Sequence, residues 1–186
     1  MAPIEILFGV LVFVFALIGL ARGFLRELGV TLVLMFLLYF LTRFEPILTT
    51  GLARAVSIGE GVVTMRSEDE VKAWIYLFII IGSTFVAYEG ETLAFGGQPL
   101  RGAQAFIMGL LTGTLNGYLV AGTIWFYLDR FGYPIRFFGF RPTELSPVAQ
   151  SMIRFLPITF LGGPVLLGQS LLLYLTGLLF LARVIR

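Results

Sequence analysis

Charged residues punctuate this chain at wide intervals, and the stretches between them carry none. Ile6 to Ala21 is 16 uncharged residues, Leu28 to Thr42 is 15, Ala73 to Tyr88 is 16, Gly102 to Leu128 is 27 and Phe155 to Ala182 is 28. A bilayer-spanning helix uses roughly 17 to 25 apolar residues, because in hydrocarbon each backbone N–H and C=O must be paired inside the segment. The first three runs fall short of that length unless flanking Arg and Glu side chains snorkel to the interface or the bilayer thins locally. Pro157 and Gly162-Gly163-Pro164 break the last run and leave Val165 to Ala182 as its membrane part. The pattern predicts an all-α, polytopic integral membrane protein with about five transmembrane helices, or four on the lower count.

The connecting segments carry helix signals of their own. Ser67-Glu68-Asp69-Glu70 is a capping-box pattern that starts the third helix near Glu68. Ser146-Pro147 combines a cap with proline at the first helical position. After it, Val148, Met152, Phe155 and Leu156 share one face and Gln150 and Arg154 the other, the pattern of a short helix lying in the interface. Beyond Pro46, Leu48, Leu52, Ala55 and Val56 oppose Thr49, Thr50 and Arg54 in the same way. Arg22-Gly23 and Arg101-Gly102 precede the second and fourth helices, and Arg43-Phe44 and Arg130-Phe131 follow them, as a parallel duplication would arrange. No linker divides the chain, so residues 1–186 read as a single membrane domain: a four-helix part over 1–130, then an interfacial loop and helix and a fifth span over 131–186. Met1-Ala2-Pro3 lacks the basic start of a signal peptide, so the first helix is expected to stay in the mature protein.

Composition narrows function more than any motif does. Of 186 residues, 58% are hydrophobic and 13% charged, about half the charged share of a soluble domain. Cysteine and histidine are both absent, which removes thiolate nucleophiles, Cys- or His-ligated metals and imidazole bases. No catalytic residues, no metal site and no enzyme activity are expected. The net charge of +2 is spread through every connecting segment, so no nucleic-acid patch forms.

The fourth run contains small residues four apart: Ala105, Gly109, Gly113, Gly117 and Ala121. That spacing keeps them on one slowly drifting helical face, where another helix backbone can come close. Intrachain packing is the commoner use of such a stripe, and self-association or docking to another subunit the rarer one. Asn116, Thr112 and Thr114 lie among these residues and also predict protein contact, because they would be costly against lipid. No ionisable side chain lies inside this run, so it is poorly equipped as a transport path.

Arg22-Gly23-Phe24-Leu25-Arg26-Glu27 forms a charged hairpin between the first two helices. Its plain reading is an interfacial anchor; its functional reading is a partner or anionic-lipid site at Arg22, Gly23, Arg26 and Glu27. An acidic residue opening the first helix (Glu5), this Arg-Gly-Phe-x-Arg-Glu segment, and a glycine-containing loop (Gly96 to Gly102) leading into the Gly109-to-Ala121 helix together resemble the bacterial colicin V production protein family. The likeness covers roughly residues 1 to 130. It departs at Glu5, where the family usually has Asp, and at Asn116-Gly117, where a charged residue is often found. The resemblance implies an inner-membrane protein with a role in toxin production or membrane stress tolerance, and no known reaction. Some relatives are fused to a periplasmic serine protease, but a chain without histidine cannot hold a Ser-His-Asp triad.

Between Phe131 and Arg141, Phe131, Tyr133, Phe137, Phe138 and Phe140 alternate with Arg136 and Arg141, as in a connection lying at the headgroups or a docking surface. No cofactor is called for, although with 19 Phe a lipid tail, quinone or carotenoid could lie between helices at a place the sequence does not mark. Expected partners are membrane lipids and other membrane subunits, or a second copy. The charge bias across connections favours a cytoplasmic N-terminus; the resemblance implies the reverse. Two functions stand side by side: a family-type envelope or secretion protein, and an accessory subunit of a larger complex, for example a bioenergetic or photosynthetic one. A small transporter ranks behind both.

Overall fold

A computed structural model of the chain describes residues 3–58, 65–89, 95–135, 139–140 and 145–185. Among the described residues four helices are long and apolar enough to cross a membrane: α1 (Ile4–Arg22), α2 (Phe24–Ile58, with Phe24–Gly51 as its apolar part), α3 (Met65–Glu89) and α4 (Gly102–Arg130). They are followed by α5 (Pro147–Ile153), α6 (Pro157–Leu161), an antiparallel pair β1 (Pro164–Leu166) and β2 (Gln169–Ser170), and α7 (Leu171–Val184).

Gly23 alone separates α1 from α2. Its φ of 85° is open to glycine at little cost, and its N–H caps α1 on the Gly19 carbonyl at 3.0 Å. Pro46 does not end α2: the helix continues to Ile58, so the separate interfacial helix expected after it is part of one long α2. Thr49 and Thr50 fold back onto the Glu45 and Pro46 carbonyls. Helix α3 begins at Met65, so Ser67 lies inside its first turn rather than at the cap, and Lys72 instead secures that turn through Glu68 at 2.6 Å and Asp69 at 3.6 Å. Ser146 does cap α5, its Oγ accepting the Ala149 N–H at 3.0 Å. Ala149 faces the bundle, whereas Val148, and Phe155 just beyond the helix, are exposed.

Helix α4 is the central element, packed by α1, α2, α3 and α6. One core gathers Leu34, Leu38 and Leu41 of α2 with Tyr76, Tyr127 and Leu172. A second joins Ile4, Ala73, Trp125, Ala149 and Leu156 at one end of the bundle. That end also holds the Glu45–Arg130 ion pair at 2.5 Å and Ser146 donating to Glu5 at 2.5 Å. The opposite end holds Arg22, Glu27, Tyr88 and the start of α4.

The apolar stretch expected over Val165 to Ala182 is divided. Leu167 and Gly168 both take positive φ, 50° and 73°, and turn the chain into a two-residue hairpin before a 14-residue helix. At 1.5 Å per residue α7 is about 21 Å long, short of a hydrocarbon core of about 30 Å. Its ends nevertheless sit beside the two ends of α2's uncharged run. Arg43 donates to Gln169 at 3.2 Å on one side; on the other, Arg183 lies over the Phe95 ring at 5.8 Å and the Phe95 N–H bonds the Leu25 carbonyl. The hairpin and α7 together therefore cover the same layer as α2.

Candidate functional site

Five polar side chains from four helices meet at the Arg22 end of the bundle. Glu27 occupies the first turn of α2, and packing of α3 and α4 over that turn leaves it fully buried. Its Oε1 lies 3.1 Å from Arg22 Nε. Its Oε2 accepts from Tyr88 Oη of α3 at 3.0 Å and from Asn116 Nδ2 of α4 at 2.8 Å. Asn116 Nδ2 also reaches the Glu27 carbonyl at 3.1 Å. Thr31, one turn along α2, donates to that carbonyl at 3.0 Å and to Asn116 Oδ1 at 2.7 Å. The guanidinium of Arg22 lies 4.8 Å from the centre of the Tyr88 ring and donates through Nη1 to the Tyr88 carbonyl. A carboxylate taken out of water needs a partnered charge and hydrogen bonds: Arg22 supplies the charge and Tyr88 and Asn116 fill Oε2, whereas Oε1 faces Arg22 Nε without a well-directed hydrogen bond.

This places the expected cluster differently from an interfacial docking site. Glu27 is sealed inside, Arg22 is 25% exposed and Arg26 points outward. A Cβ on Gly23 would meet nothing within 4 Å, so within the chain the glycine answers to the positive φ of the turn and not to close packing. An ionisable group does lie against α4, contributed by α2. Tyr88 and Thr31 escaped sequence reading; Tyr88 reads as the last uncharged residue of its run, and Thr31 carries only its spacing of four from Glu27.

The small-residue stripe is consumed by α1. A Cβ on Gly113 would stand 2.5 Å from the Phe15 carbonyl oxygen and 2.9 Å from Gly19 Cα; one on Gly117 would stand 2.9 Å from Val12 Cα. A Cβ on Gly109 would stand 2.8 Å from the Gly19 carbonyl oxygen. Asn116 and Ala121 are buried beside them, as is Thr112, which donates to the Met108 carbonyl at 2.7 Å. Ala105 is half-buried beyond the contact and Thr114 is exposed, against expectation, because the stripe drifts around α4 and leaves position 114 on the far side. Gly19, the counterpart on α1, carried no signal in a uniformly apolar helix.

Of the aromatic connection, Phe131, Tyr133 and Phe140 pack on the bundle itself, Tyr133 accepting from Trp125 Nε1 at 2.9 Å; Arg136, Phe137, Phe138 and Arg141 lie outside the described residues. Burial pushes the Tyr133 phenol well above its ordinary value.

The bundle also has an apolar groove of 560 Å³ between α1 and α3, floored by α4. Phe8, Phe15 and Ile18 of α1, Phe85 and Tyr88 of α3, and Trp125 of α4 line it. Its lining is almost wholly apolar. Among the described residues no group of three or more acidic side chains could hold a metal ion.

No family model, curated protein or solved structure matches this chain.

Proposed function

We propose that this chain is a non-enzymatic protein of the bacterial inner membrane, of the colicin V production type, which acts in envelope or secretion processes through its packed helices and the molecules they bind. The supporting observation is that the two segments carrying the resemblance, 85 to 90 residues apart, form one assembly. Glu27 of the Arg-Gly-Phe-x-Arg-Glu segment is held by Asn116 of the glycine-rich helix, whose stripe seats α1. Asn116 stands where the family often has a charged residue, so the support lies in the meeting of the two segments and not in the residue that joins them. For the accessory-subunit reading, α1 already fills the stripe, which leaves the aromatic connection as the docking surface that reading would use.

Deletion in the parent cell, followed by challenge with a membrane-active detergent, tests this reading. Sensitivity restored to normal by the wild-type gene supports an envelope role. Unchanged tolerance and unchanged secretion, together with co-purification of the chain in fixed ratio with a larger complex, would overturn it in favour of a subunit.

A further inference from the structure

We propose that the groove between α1 and α3 is a lipid site that takes one long apolar chain, with a phosphate headgroup held at Arg22. This goes beyond the envelope role and does not depend on it.

The face of α1 that lines the groove is continuous: Ile4, Phe8, Leu11, Phe15 and Ile18 follow one another at intervals of three or four. Arg22 is the next position on that face, one turn beyond Ile18. The distance from Ile4 to Ile18 along the helix is about 21 Å at 1.5 Å per residue. One leaflet of hydrocarbon is about 15 Å deep, half of the core, so the groove accommodates an extended chain lying lengthwise in single file. Its 560 Å³ falls within the roughly 300 to 1,000 Å³ of sites that bind small molecules.

The groove ends on Tyr88, and the Arg22 guanidinium lies over the Tyr88 ring with its side chain 25% exposed. Glu27 and the Tyr88 carbonyl fix Arg22 from the inner side, which orients the guanidinium instead of leaving it on a mobile stem. Among the described residues this end of the bundle carries Arg22, Arg26, Arg101 and Arg183 against Glu27 and Glu89. The excess is positive where a headgroup would rest, and the Glu27 and Tyr88 contacts of Arg22, through Nε and Nη1, leave its Nη2 for a phosphate oxygen. The chemistry therefore selects an anionic lipid over a neutral quinone, a carotenoid or a zwitterionic phospholipid.

Trp125 supplies the probe, because it lines the groove at the end far from Arg22 and is only 2% exposed. The other tryptophan, Trp74, is 49% exposed. In full-length Trp74→Phe protein reconstituted in phosphatidylcholine vesicles, phosphatidylglycerol brominated near the chain terminus should quench Trp125 severalfold more efficiently than equally brominated phosphatidylcholine. The effect should saturate at low mole fraction, and inorganic phosphate should not reverse it. Leu11→Phe with Ile81→Phe narrows the groove at partly exposed positions and should abolish the quenching. Arg22→Gln with Glu27→Gln keeps a neutral, hydrogen-bonding pair and should remove the preference for phosphatidylglycerol while leaving the fold intact by circular dichroism. Equal quenching by both lipids in the parent protein, reversal by inorganic phosphate, or a preference that survives the double glutamine variant would each overturn the proposal.

Discussion

Asn116 holds Glu27 twice, through the carboxylate at 2.8 Å and through the main-chain carbonyl at 3.1 Å, and so ties the first turn of α2 to the middle of α4. One amide thus fixes both the side chain and the helix that bears it. Thr31 completes the arrangement by donating to the Asn116 Oδ1, which settles the orientation of the amide.

Arg22→Ala should therefore cost far more than a surface ion pair would. Removing one partner of a buried pair typically costs about 3 to 5 kcal/mol, and the 25% exposure of Arg22 puts the expected loss near the lower end. Thermal unfolding in detergent measures it. Adding Glu27→Gln to Arg22→Ala should recover much of the loss, because no unpartnered charge then remains inside. A single variant as stable as the parent would mean that the carboxylate is hydrated.

The α1–α4 contact makes a sharper steric demand. Gly113→Leu forces α1 away from α4 and should lower stability by about 1 to 3 kcal/mol or more, since the nearest atoms are backbone. Gly19→Ala should be damaging for the same reason. Leu111→Phe, on a face that is 57% exposed, should be nearly silent in the same unfolding assay.

Without native cysteine, topology can be read by single-cysteine labelling. Cysteines at Gly23, Gly96 and Ile185 should label from one side of the membrane, and cysteines at Gly139 and Val165 from the other. Labelling of 165 and 185 from the same side would make α7 a re-entrant element.

Tyr133 gives a pH dependence with a definite sign. Its folded-state pKa is raised by burial, so the unfolded chain ionises first, at the ordinary phenol value of about 10. The stability it contributes is complete below that pH and is lost as pH rises above it. Tyr133→Phe should flatten the alkaline arm of a stability-against-pH curve, at the cost of the hydrogen bond from Trp125. An unchanged alkaline arm would show that Tyr133 stays accessible to solvent.

The elements were legible because hydrocarbon forces backbone pairing into helices, so uncharged runs locate them with little help from side-chain detail. The stripe on α4 was legible for a similar reason, since only small residues permit close backbones. Its counterpart was not. Gly9 and Gly19 look alike in α1, yet a Cβ at Gly9 would meet nothing within 4 Å whereas Gly19 lies against Gly109 and Gly113. Glu27 reads as one member of an interfacial charged cluster because arginines flank it; its burial comes with Tyr88 and Asn116, 61 and 89 residues away, and no local pattern encodes that. The division of the last run turned on Leu167 and Gly168, where leucine adopts a positive φ that sequence reasoning assigns to glycine or asparagine.

The Gly19 contact also sets an order of assembly. Helix α1 finds its principal neighbour about 90 residues later, on the order of 5 to 20 s of synthesis at usual elongation rates. Throughout that interval the notch at Gly19 faces lipid or insertion machinery, and the Glu27 carboxylate waits for the amide that will cover it. A chain terminated before α4 leaves both unmet: a notch without the helix that fills it and a carboxylate without the amide that covers it.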